Sequence, residues 1–431
     1  MIRLKKIKIK GGFCLKGNVK IAGAKNAVLA ILPATVLIGK VCRIENVPDI
    51  SDISLMCCVL AQIGVQVRVV GKNSLEVDAR HVSNICADFD EIRHMRASYY
   101  LLGAMLGRFG EAAVAMPGGC DFGLRPTDQH IKGFEALGAK CDVTGGITKI
   151  KCDKLVGNGV YLDVISVGAT INTILTAVKA EGTTIIENAA KEPHVVDLSN
   201  FLNSCGADIR GAGTDIIKVC GVKKLRGTNY QVIPDQIEAG TYMAAALATN
   251  GNITVEGIIP KHLESITAKL EEIGADIEIS DDSIRLMSTG KLNKCNVKTM
   301  PYPGFPTDMQ PQIVALLSRA SGTSMVSECV WDHRFRHVSE LRRMGAEISV
   351  DGRLAVIEGV GELSGTNVKA SDLRAGAALI IAGLSANGST IVENTAYIER
   401  GYENIAGKLF LLGADIKSID EEILEKVSSV L

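Results

Sequence analysis

Aromatic residues are scarce in this sequence, and it has neither an excess of one charge nor a long apolar run. Aromatics make up 4% of the 431 residues, and 47 basic residues face 48 acidic ones, so the net charge is −1. Because no surplus of lysine and arginine is available to neutralise phosphates, we expect neither nucleic acid nor membrane as a partner. The most apolar stretch, residues 27–39, is too short to cross a bilayer and contains Pro33.

A secretion signal and a metal-binding cysteine pattern are also missing. The chain opens with basic residues, but no apolar core follows them as in a signal peptide. The twelve cysteines are scattered, apart from Cys57 and Cys58, with no C-x-x-C pair and no spacing to histidine that suits zinc. We predict a cytoplasmic protein without a metal site, whose cysteines mostly serve as small buried apolar residues.

What the sequence does contain is a helix ending that recurs six times. Each ending is a glycine, which suits the left-handed conformation that closes a helix. The glycines are Gly64, Gly138, Gly206, Gly274, Gly345 and Gly413, spaced 74, 68, 68, 71 and 68 residues apart. After each of the first five, alternating residues predict a β-hairpin, such as 276–280 with 283–286. After the sixth, the polar residues up to 431 indicate a helix instead.

A second helix precedes each of these endings and is rich in alanine and glycine, as at 242–247. Such helices are apolar on all sides, so we expect them to be buried. Together with the strand that follows, each repeat reads as a βαβαββ unit, and the fold class is α/β. Six repeats predict two domains of three, residues 22–231 and residues 1–21 with 232–431, in which the N-terminal strand completes the second domain.

Polar residues stand at the starts of the six buried helices. They are Lys25 with Asn26, Arg96, Ser166, Asp235 with Glu238, Asp308, and Asp372 with Arg374. A helix N-terminus favours anions, so a lysine or arginine there opposes the helix dipole unless an anion binds. We predict an anion site at these helix starts; the alternative for Lys25 and Arg96 is a cation that only reaches solvent. Asp308 either stabilises the first helical turn or acts as a general base.

Two further kinds of segment carry candidate functional residues. Residues 116–128 place three glycines around Cys120, which predicts an exposed loop, and Arg125 would stabilise a thiolate there. For Cys120 we favour a functional role over packing. The arginine-rich turns at 332–337 and 399–403 are either solvated surface or part of the anion site.

Several of these motifs, in this order, resemble the UDP-N-acetylglucosamine enolpyruvyl transferase family nearly end to end. The motifs are Lys25-Asn26, Met95-Arg96-Ala97-Ser98, Pro117 to Cys120 with Arg125-Pro126, Ser166 to Thr170, Phe305 to Asp308, and Arg400 to Glu403. The resemblance implies a two-domain inside-out α/β barrel of six βαβαββ repeats with the active site between the domains. It also implies transfer of the enolpyruvyl group of phosphoenolpyruvate to the sugar 3′-hydroxyl, the first committed step of peptidoglycan synthesis.

The resemblance also implies roles for single residues. Lys25, Arg125 and Arg400 would hold the phosphate and carboxylate of phosphoenolpyruvate, with Arg334 and Arg374 as further members. Cys120 would donate a proton to C3, and Asp308 would accept or position the hydroxyl proton. Residues for the nucleotide sugar would be Asn26, Arg96, Arg125, Pro126, Thr127, Asp128, Gln129, Ser166, Val167, Gly168, Asp308 and Val330. No cofactor or metal is implied, and a monomer is favoured.

The sequence departs from the family pattern at two positions, and it leaves other functions open. Glu399 stands where aspartate is more usual, and Val164 stands where some members have lysine. The first rival is a shikimate 3-phosphate enolpyruvyl transferase, which shares the fold but lacks the Gly-Gly-Cys loop. A non-catalytic binding protein built on the same repeats and an RNA-end cyclase are two others. The retained charged helix starts argue against the binding protein, and the neutral net charge argues against the cyclase.

Overall fold

The structure is a computed structural model that describes residues 2–89, 92, 95–116 and 127–423. Thirteen α-helices lie in this part of the chain: α1 (Lys25–Ile38), α2 (Ser51–Gln62), α3 (Tyr100–Phe109), α4 (Asp128–Ala136), α5 (Val167–Ala177), α6 (Pro193–Ser204), α7 (Gln236–Ala248), α8 (Glu264–Ile273), α9 (Gln310–Leu317), α10 (Val338–Arg343), α11 (Leu373–Ser385), α12 (Ala396–Glu399) and α13 (Ile405–Leu411). Within the described ranges, none of the helices has the length and apolar character needed to cross a membrane.

Short strands make up most of the remaining regular structure. In chain order they are β1 (Ile2–Lys10), β2 (Lys16–Lys20), β3 (Val41–Glu45), β4 (Gln66–Gly71), β5 (Ser74–Asp78), β6 (Cys86–Ala87), β7 (Glu111–Ala115), β8 (Lys140–Thr144), β9 (Ile147–Lys151), β10 (Gly159–Tyr161), β11 (Thr183–Glu187), β12 (Asp208–Arg210), β13 (Ile216–Cys220), β14 (Asn229–Gln231), β15 (Asn252–Glu256), β16 (Ala275–Ile279), β17 (Ser283–Ser288), β18 (Val297–Lys298), β19 (Thr323–Ser327), β20 (Glu347–Asp351), β21 (Leu354–Glu358), β22 (Asn367–Lys369), β23 (Ser389–Glu393) and β24 (Asp415–Ile423).

These strands form six four-stranded sheets that share one topology. The sheet orders are β14-β3-β5-β4, β6-β7-β9-β8, β10-β11-β13-β12, β2-β15-β17-β16, β18-β19-β21-β20 and β22-β23-β1-β24. In each sheet the first two strands are parallel and the other neighbours are antiparallel. A buried helix precedes the second strand and a surface helix follows it. This is the βαβαββ unit that the repeat pattern predicts, so the predicted fold class is confirmed.

The chain divides into two compact units. The first unit comprises Ala22–Asp235 with Pro301–Pro303, and the second comprises Met1–Ile21, Gln236–Met300 and Gly304–Leu431. In the first unit α1, α3 and α5 pack on one another, and in the second α7, α9 and α11 do so. Each trio supplies the centre of its unit's apolar core, and the three sheets cover it. Helices inside and sheets outside are the inside-out arrangement that the resemblance implies, although the three sheets of a unit stay separate in the described residues.

In both units, strands from a distant part of the chain complete repeats: one strand does so in the first unit and two do so in the second, where β2 pairs with β15. β14 supplies the first strand of the sheet that contains β3. β1 lies between β23 and β24 in the sixth sheet. Its alternation explains this central position, because Ile7 and Ile9 are buried while Lys8 and Lys10 are exposed. That residues 22–231 form one domain and residues 1–21 with 232–431 form the other stays a prediction.

Two expectations are wrong. Residues 415–423 form β24, paired with β1 from Lys10↔Asp415 to Ile2↔Ile423, and not a helix. The isoleucines at 416, 419 and 423 have helical spacing, but the unpaired edge of β1 favours a strand. Of the eleven described cysteines, all free, only Cys42, Cys205 and Cys295 are buried, so the expectation of mostly buried cysteines is wrong.

The six helix-ending glycines confirm the repeat pattern. Their φ angles are all positive, between 94° at Gly413 and 127° at Gly274. A residue with a Cβ atom is strained in that region, so glycine is required at each point where the outer helix turns into the strand that follows.

Candidate active site

Lys25 begins α1 and is held by two carboxylates. Ala24, before it, has no side chain that caps the helix; instead, Asp235 Oδ2 accepts the Lys25 backbone N–H at 3.1 Å. The Lys25 ammonium lies 2.6 Å from Asp52 Oδ2, and the two side chains are 12% and 5% exposed. These negative charges offset a cation placed against the helix dipole. Asn26, the next residue, is exposed.

Asp52 was not singled out from the sequence, because an acidic residue in the first turn of α2 is common and stabilising there anyway. In the sequence, Asp235 is recognisable only as a polar residue at the start of α7. The structure shows that it also caps α1, 210 residues earlier in the chain.

Arg96 begins a short 3-10 helix, Arg96–Tyr99, that leads into α3. Its guanidinium lies among ionisable groups. Burial raises the pKa of Tyr100 to about 12, the charge of Arg96 acts to lower it, and the charge of Glu192 acts to raise it. Burial also raises the pKa of Glu192 itself. Arg96 is thus a half-buried cation at a helix start.

The predicted residues of the α4 start contact the segment that leads into α5. Gln129 is buried; its amide donates to Asp128 Oδ2 at 2.8 Å and to Asp163 Oδ2 at 3.0 Å. The Gln129 Oε1 atom accepts the Asp163 N–H at 2.8 Å. Asp163 is three residues before Ser166, whose hydroxyl caps α5 through the Ala169 N–H at 3.3 Å. Gln129 therefore joins the start of α4 to the segment that leads to Ser166.

His130 lies against Gly168 at the start of α5, and the sequence analysis does not predict it as a site residue. A Cβ atom added to Gly168 would lie 2.9 Å from His130 Cε1 and Nε2, so glycine is needed for this approach. His130 Nδ1 is 2.8 Å from Asn172 Nδ2, and the edge of its ring meets Tyr99. Burial lowers the pKa of His130 to about 4, so the imidazole is neutral at neutral pH. A single histidine beside three candidate residues was the only available signal.

Three predicted site residues, Cys120, Arg125 and Pro126, lie outside the described residues. Their proposed roles rest on the sequence.

In the second unit, Asp308 is the centre of a charged cluster. Its Oδ1 atom accepts from Arg334 Nη2, and its Oδ2 atom accepts from Arg374 Nη2, both at 2.9 Å. The arginine side chains are 6% and 5% exposed, whereas Asp308 is 32% exposed. Charge-assisted bonds to both oxygens orient the carboxylate and leave it accessible from one side. Asp308 lies in the 3-10 turn before α9 and Arg374 lies in the first turn of α11.

Tyr402 connects this cluster to the segment that contains Arg400. The Tyr402 hydroxyl accepts from Arg374 Nη1 at 3.2 Å, and the guanidinium carbon lies 5.5 Å from the centre of the tyrosine ring. The same hydroxyl contacts Thr241 at 2.9 Å and Gln312 at 3.2 Å. Arg400 directly follows α12 and is partly exposed. Val330, another predicted residue, lies in the loop after β19 and is partly exposed.

The two departures from the family pattern are both on the surface. The Glu399 carboxylate pairs with Lys5 at 3.1 Å, and both side chains are about half exposed. Val164 is 57% exposed in the segment before α5.

The first unit therefore presents a fixed lysine, an arginine at a helix start and capped helix N-termini. The second presents an oriented carboxylate between two arginines. Residues 9–409 match the family model described as EPSP synthase (3-phosphoshikimate 1-carboxyvinyltransferase). The chain belongs to this family of carboxyvinyl transferases.

Within the family, the chain is similar to proteins named UDP-N-acetylglucosamine 1-carboxyvinyltransferase. One from Clostridium botulinum is 54% identical over 414 residues, which cover 96% of this chain and 99% of that protein. Another, from Clostridium acetobutylicum and numbered 2, is 53% identical over 413 residues, which cover 96% and 99%.

Solved structures agree with the fold. The enolpyruvyl transferase NikO from Streptomyces tendae matches with a TM-score of 0.88 and 25% identity, over 98% of this chain and 100% of that chain. EPSP synthase from Acinetobacter baumannii matches with a TM-score of 0.75 and 18% identity, over 96% and 99%, which shows a shared fold alone.

Proposed function

We propose that this chain transfers the enolpyruvyl group of phosphoenolpyruvate to the 3′-hydroxyl of UDP-N-acetylglucosamine and releases phosphate. The observation that carries the proposal is the identity of more than half of the residues, over nearly the whole chain, with relatives that bear the corresponding name. As the first committed step of peptidoglycan synthesis, the reaction would take place in the cytoplasm and would support cell-wall biogenesis, cell shape and cell division.

The donor carries a phosphate and a carboxylate, and we assign Lys25, Arg125 and Arg400 to it. Lys25 supports this role because its ammonium is held by Asp52 and its backbone N–H by Asp235, at a helix start. An incoming phosphate would meet that cation at the start of α1. A cation held in place before binding costs less reorganisation than a mobile one.

We assign the acceptor hydroxyl to Asp308. Since each oxygen of Asp308 already accepts a bond from a buried arginine, the carboxylate has one orientation in which to receive a proton. Arg334 and Arg374 in this proposal orient Asp308, in addition to any contact with the donor. The remaining acceptor residues are Asn26, Arg96, Arg125, Pro126, Thr127, Asp128, Gln129, Ser166, Val167, Gly168 and Val330.

The chemistry is an addition followed by an elimination. The sugar oxygen forms a bond to C2 of phosphoenolpyruvate, its proton passes to Asp308, and C3 takes a proton from Cys120. The tetrahedral adduct then loses phosphate from C2 and a proton from C3, which restores the carbon–carbon double bond. Cations that surround the phosphate stabilise the charge on the departing group. We propose that the enzyme acts as a monomer and needs no metal or organic cofactor.

Shikimate 3-phosphate is the second candidate acceptor, because the matching family model is described by that substrate. The test is phosphate release from phosphoenolpyruvate with each acceptor in turn. We expect release with UDP-N-acetylglucosamine, no release with shikimate 3-phosphate, and loss of release in Arg400→Ala. Arg285→Ala, which removes an exposed arginine of the same unit, is the matched control and should remain active. Release with shikimate 3-phosphate alone would contradict the proposal.

A further inference from the structure

The six repeats provide a comparison for the residue that directly follows the second strand of each sheet. In three repeats this residue is asparagine: Asn46, Asn188 and Asn394, with φ angles of 59°, 56° and 60°. In the fourth repeat it is Gly257, with a φ of 67°, and in the second repeat it is Met116. Asparagine and glycine tolerate this left-handed conformation, so in these four repeats the position serves to turn the chain.

The three asparagines also make the same contact. Each amide donates to the carbonyl oxygen of the residue after the first strand of its own sheet. The pairs are Asn46 with Val232 at 2.9 Å, Asn188 with Leu162 at 2.8 Å, and Asn394 with Ala370 at 3.3 Å. This bond ties the ends of the two parallel strands together, and a neutral side chain is sufficient for it.

The fifth repeat has Glu328 at this position. The equivalent partner is Thr299, which follows β18, and the polarity of the bond is reversed: the Thr299 hydroxyl donates to Glu328 Oε1 at 2.9 Å. The same oxygen accepts the N–H groups of Val330 at 2.9 Å and Trp331 at 3.1 Å. The other oxygen, Oε2, accepts from the Thr307 hydroxyl at 3.0 Å.

Glu328 is 1% exposed. A carboxylate removed from water is costly unless donors surround it, and here four donors do so. Strand pairing does not require this arrangement, because three other repeats achieve it with asparagine. What the carboxylate adds is a connection from β19 to Thr307, the residue before Asp308, and to the backbone of Val330.

We propose that Glu328 is a positioning residue for the acceptor. It holds the turn that carries Asp308 and the loop that carries Val330 rigidly together. The distance between the sugar hydroxyl and the Asp308 carboxylate therefore stays constant during the reaction. This inference rests on the proposed function, since Asp308 and Val330 are the two residues assigned there to the nucleotide sugar.

The test removes each partner of the hydrogen bond between Thr307 and Glu328 in turn. Thr307→Val removes the hydroxyl and keeps the shape of the side chain, and we expect kcat to fall about tenfold while KM for phosphoenolpyruvate stays unchanged. Glu328→Ala should lower kcat similarly and raise KM for UDP-N-acetylglucosamine, because the Val330 loop also loses its anchor. Thr307→Val added to Glu328→Ala should cost little more, since the two changes break one link. Thr307→Ser, which retains a hydroxyl, should recover most of the lost kcat.

Ser324→Ala is the matched control. Ser324 lies on β19, the strand that Glu328 directly follows; it is buried and accepts the Cys295 N–H at 3.1 Å near the start of that strand. The Ser324→Ala variant should lower the melting temperature as Thr307→Val does, and should leave both KM values and kcat unchanged. If Ser324→Ala and Thr307→Val have the same kinetics, Glu328 only stabilises the fold. If Glu328→Ala does not fold, the comparison of Thr307→Val with Thr307→Ser still decides. If the unmodified protein releases no phosphate with UDP-N-acetylglucosamine, the proposed function fails first and this inference fails with it.

Discussion

The Asp308 side chain meets two buried guanidinium groups, each through a different carboxylate oxygen. Asp308→Asn keeps the shape but removes the negative charge and one acceptor. We expect kcat to fall at least about 100-fold, because a positioned base typically contributes that much, and KM for phosphoenolpyruvate to change little. Steady-state phosphate release measures both. Asp276→Asn, at an exposed carboxylate of the same unit, should have no effect. Full turnover in Asp308→Asn would exclude the assigned role.

In the proposed function, Cys120 is the cysteine whose thiol is reactive. Burial raises the pKa of Cys57 to about 11 and that of Cys141 to about 12, which keeps those thiols protonated and unreactive. Cys120→Asp retains an acidic group but not a thiol. We expect it to stay active and to become insensitive to the epoxide phosphonate fosfomycin, whereas Cys120→Ala should lose about 100-fold in kcat. Cys58→Ser, at an exposed cysteine, should keep both activity and sensitivity. A fully active Cys120→Ala would rule out proton donation by the thiol.

At the scale of elements, the start of α1 depends on a residue outside the helix. Asp235 accepts the N–H of Lys25, so Asp235→Ala leaves the helix end without this acceptor. We expect a loss of about 1 kcal/mol in the free energy of unfolding, and a higher KM for phosphoenolpyruvate because Lys25 shifts. Asp235→Asn keeps an acceptor oxygen and should lose less than half as much in both measurements. Equal losses in the two variants would mean that the charge of Asp235, and not its acceptor oxygen, stabilises the start of α1.

The repeat elements were largely predictable from the sequence. Glycines at the helix ends and alternation in the hairpins are local signals, because backbone conformation and burial repeat along each element. Residues 415–423 show where local signals fail. Their polar composition indicates a helix, but β1, from the other end of the chain, offers an unpaired edge and makes them a strand.

At the scale of the whole molecule, stability should depend on pH through His337. Burial lowers its pKa to about 4, the charge of Arg334 acts in the same direction, and that of Asp372 opposes it. Because the folded state resists a proton that the unfolded chain accepts near pH 6.5, the contribution of His337 is present above that pH and is lost as pH falls towards 4. Between pH 7 and pH 5 the loss is about 2 kcal/mol.

Fluorescence of Trp331, the only tryptophan, can follow this transition in urea, since it lies in the same unit as His337. His337→Gln removes the titrating group, so its unfolding free energy should fall by about 2 kcal/mol less than that of the unmodified protein over this range. An identical fall in both proteins would show that His337 does not contribute to the pH dependence.

The sequence by itself determined the repeat period, the buried and surface helices, the helix-ending glycines and the polar residues at the helix starts. These follow from patterns within about ten to twenty residues, the range over which an element decides its own conformation. Only the tertiary structure decided which groups meet: Asp52 with Lys25, Asp235 with the start of α1, and the two arginines with Asp308 across 26 and 66 residues. These contacts depend on how the chain connects its repeats in space, and residues far apart in sequence carry no local record of that path.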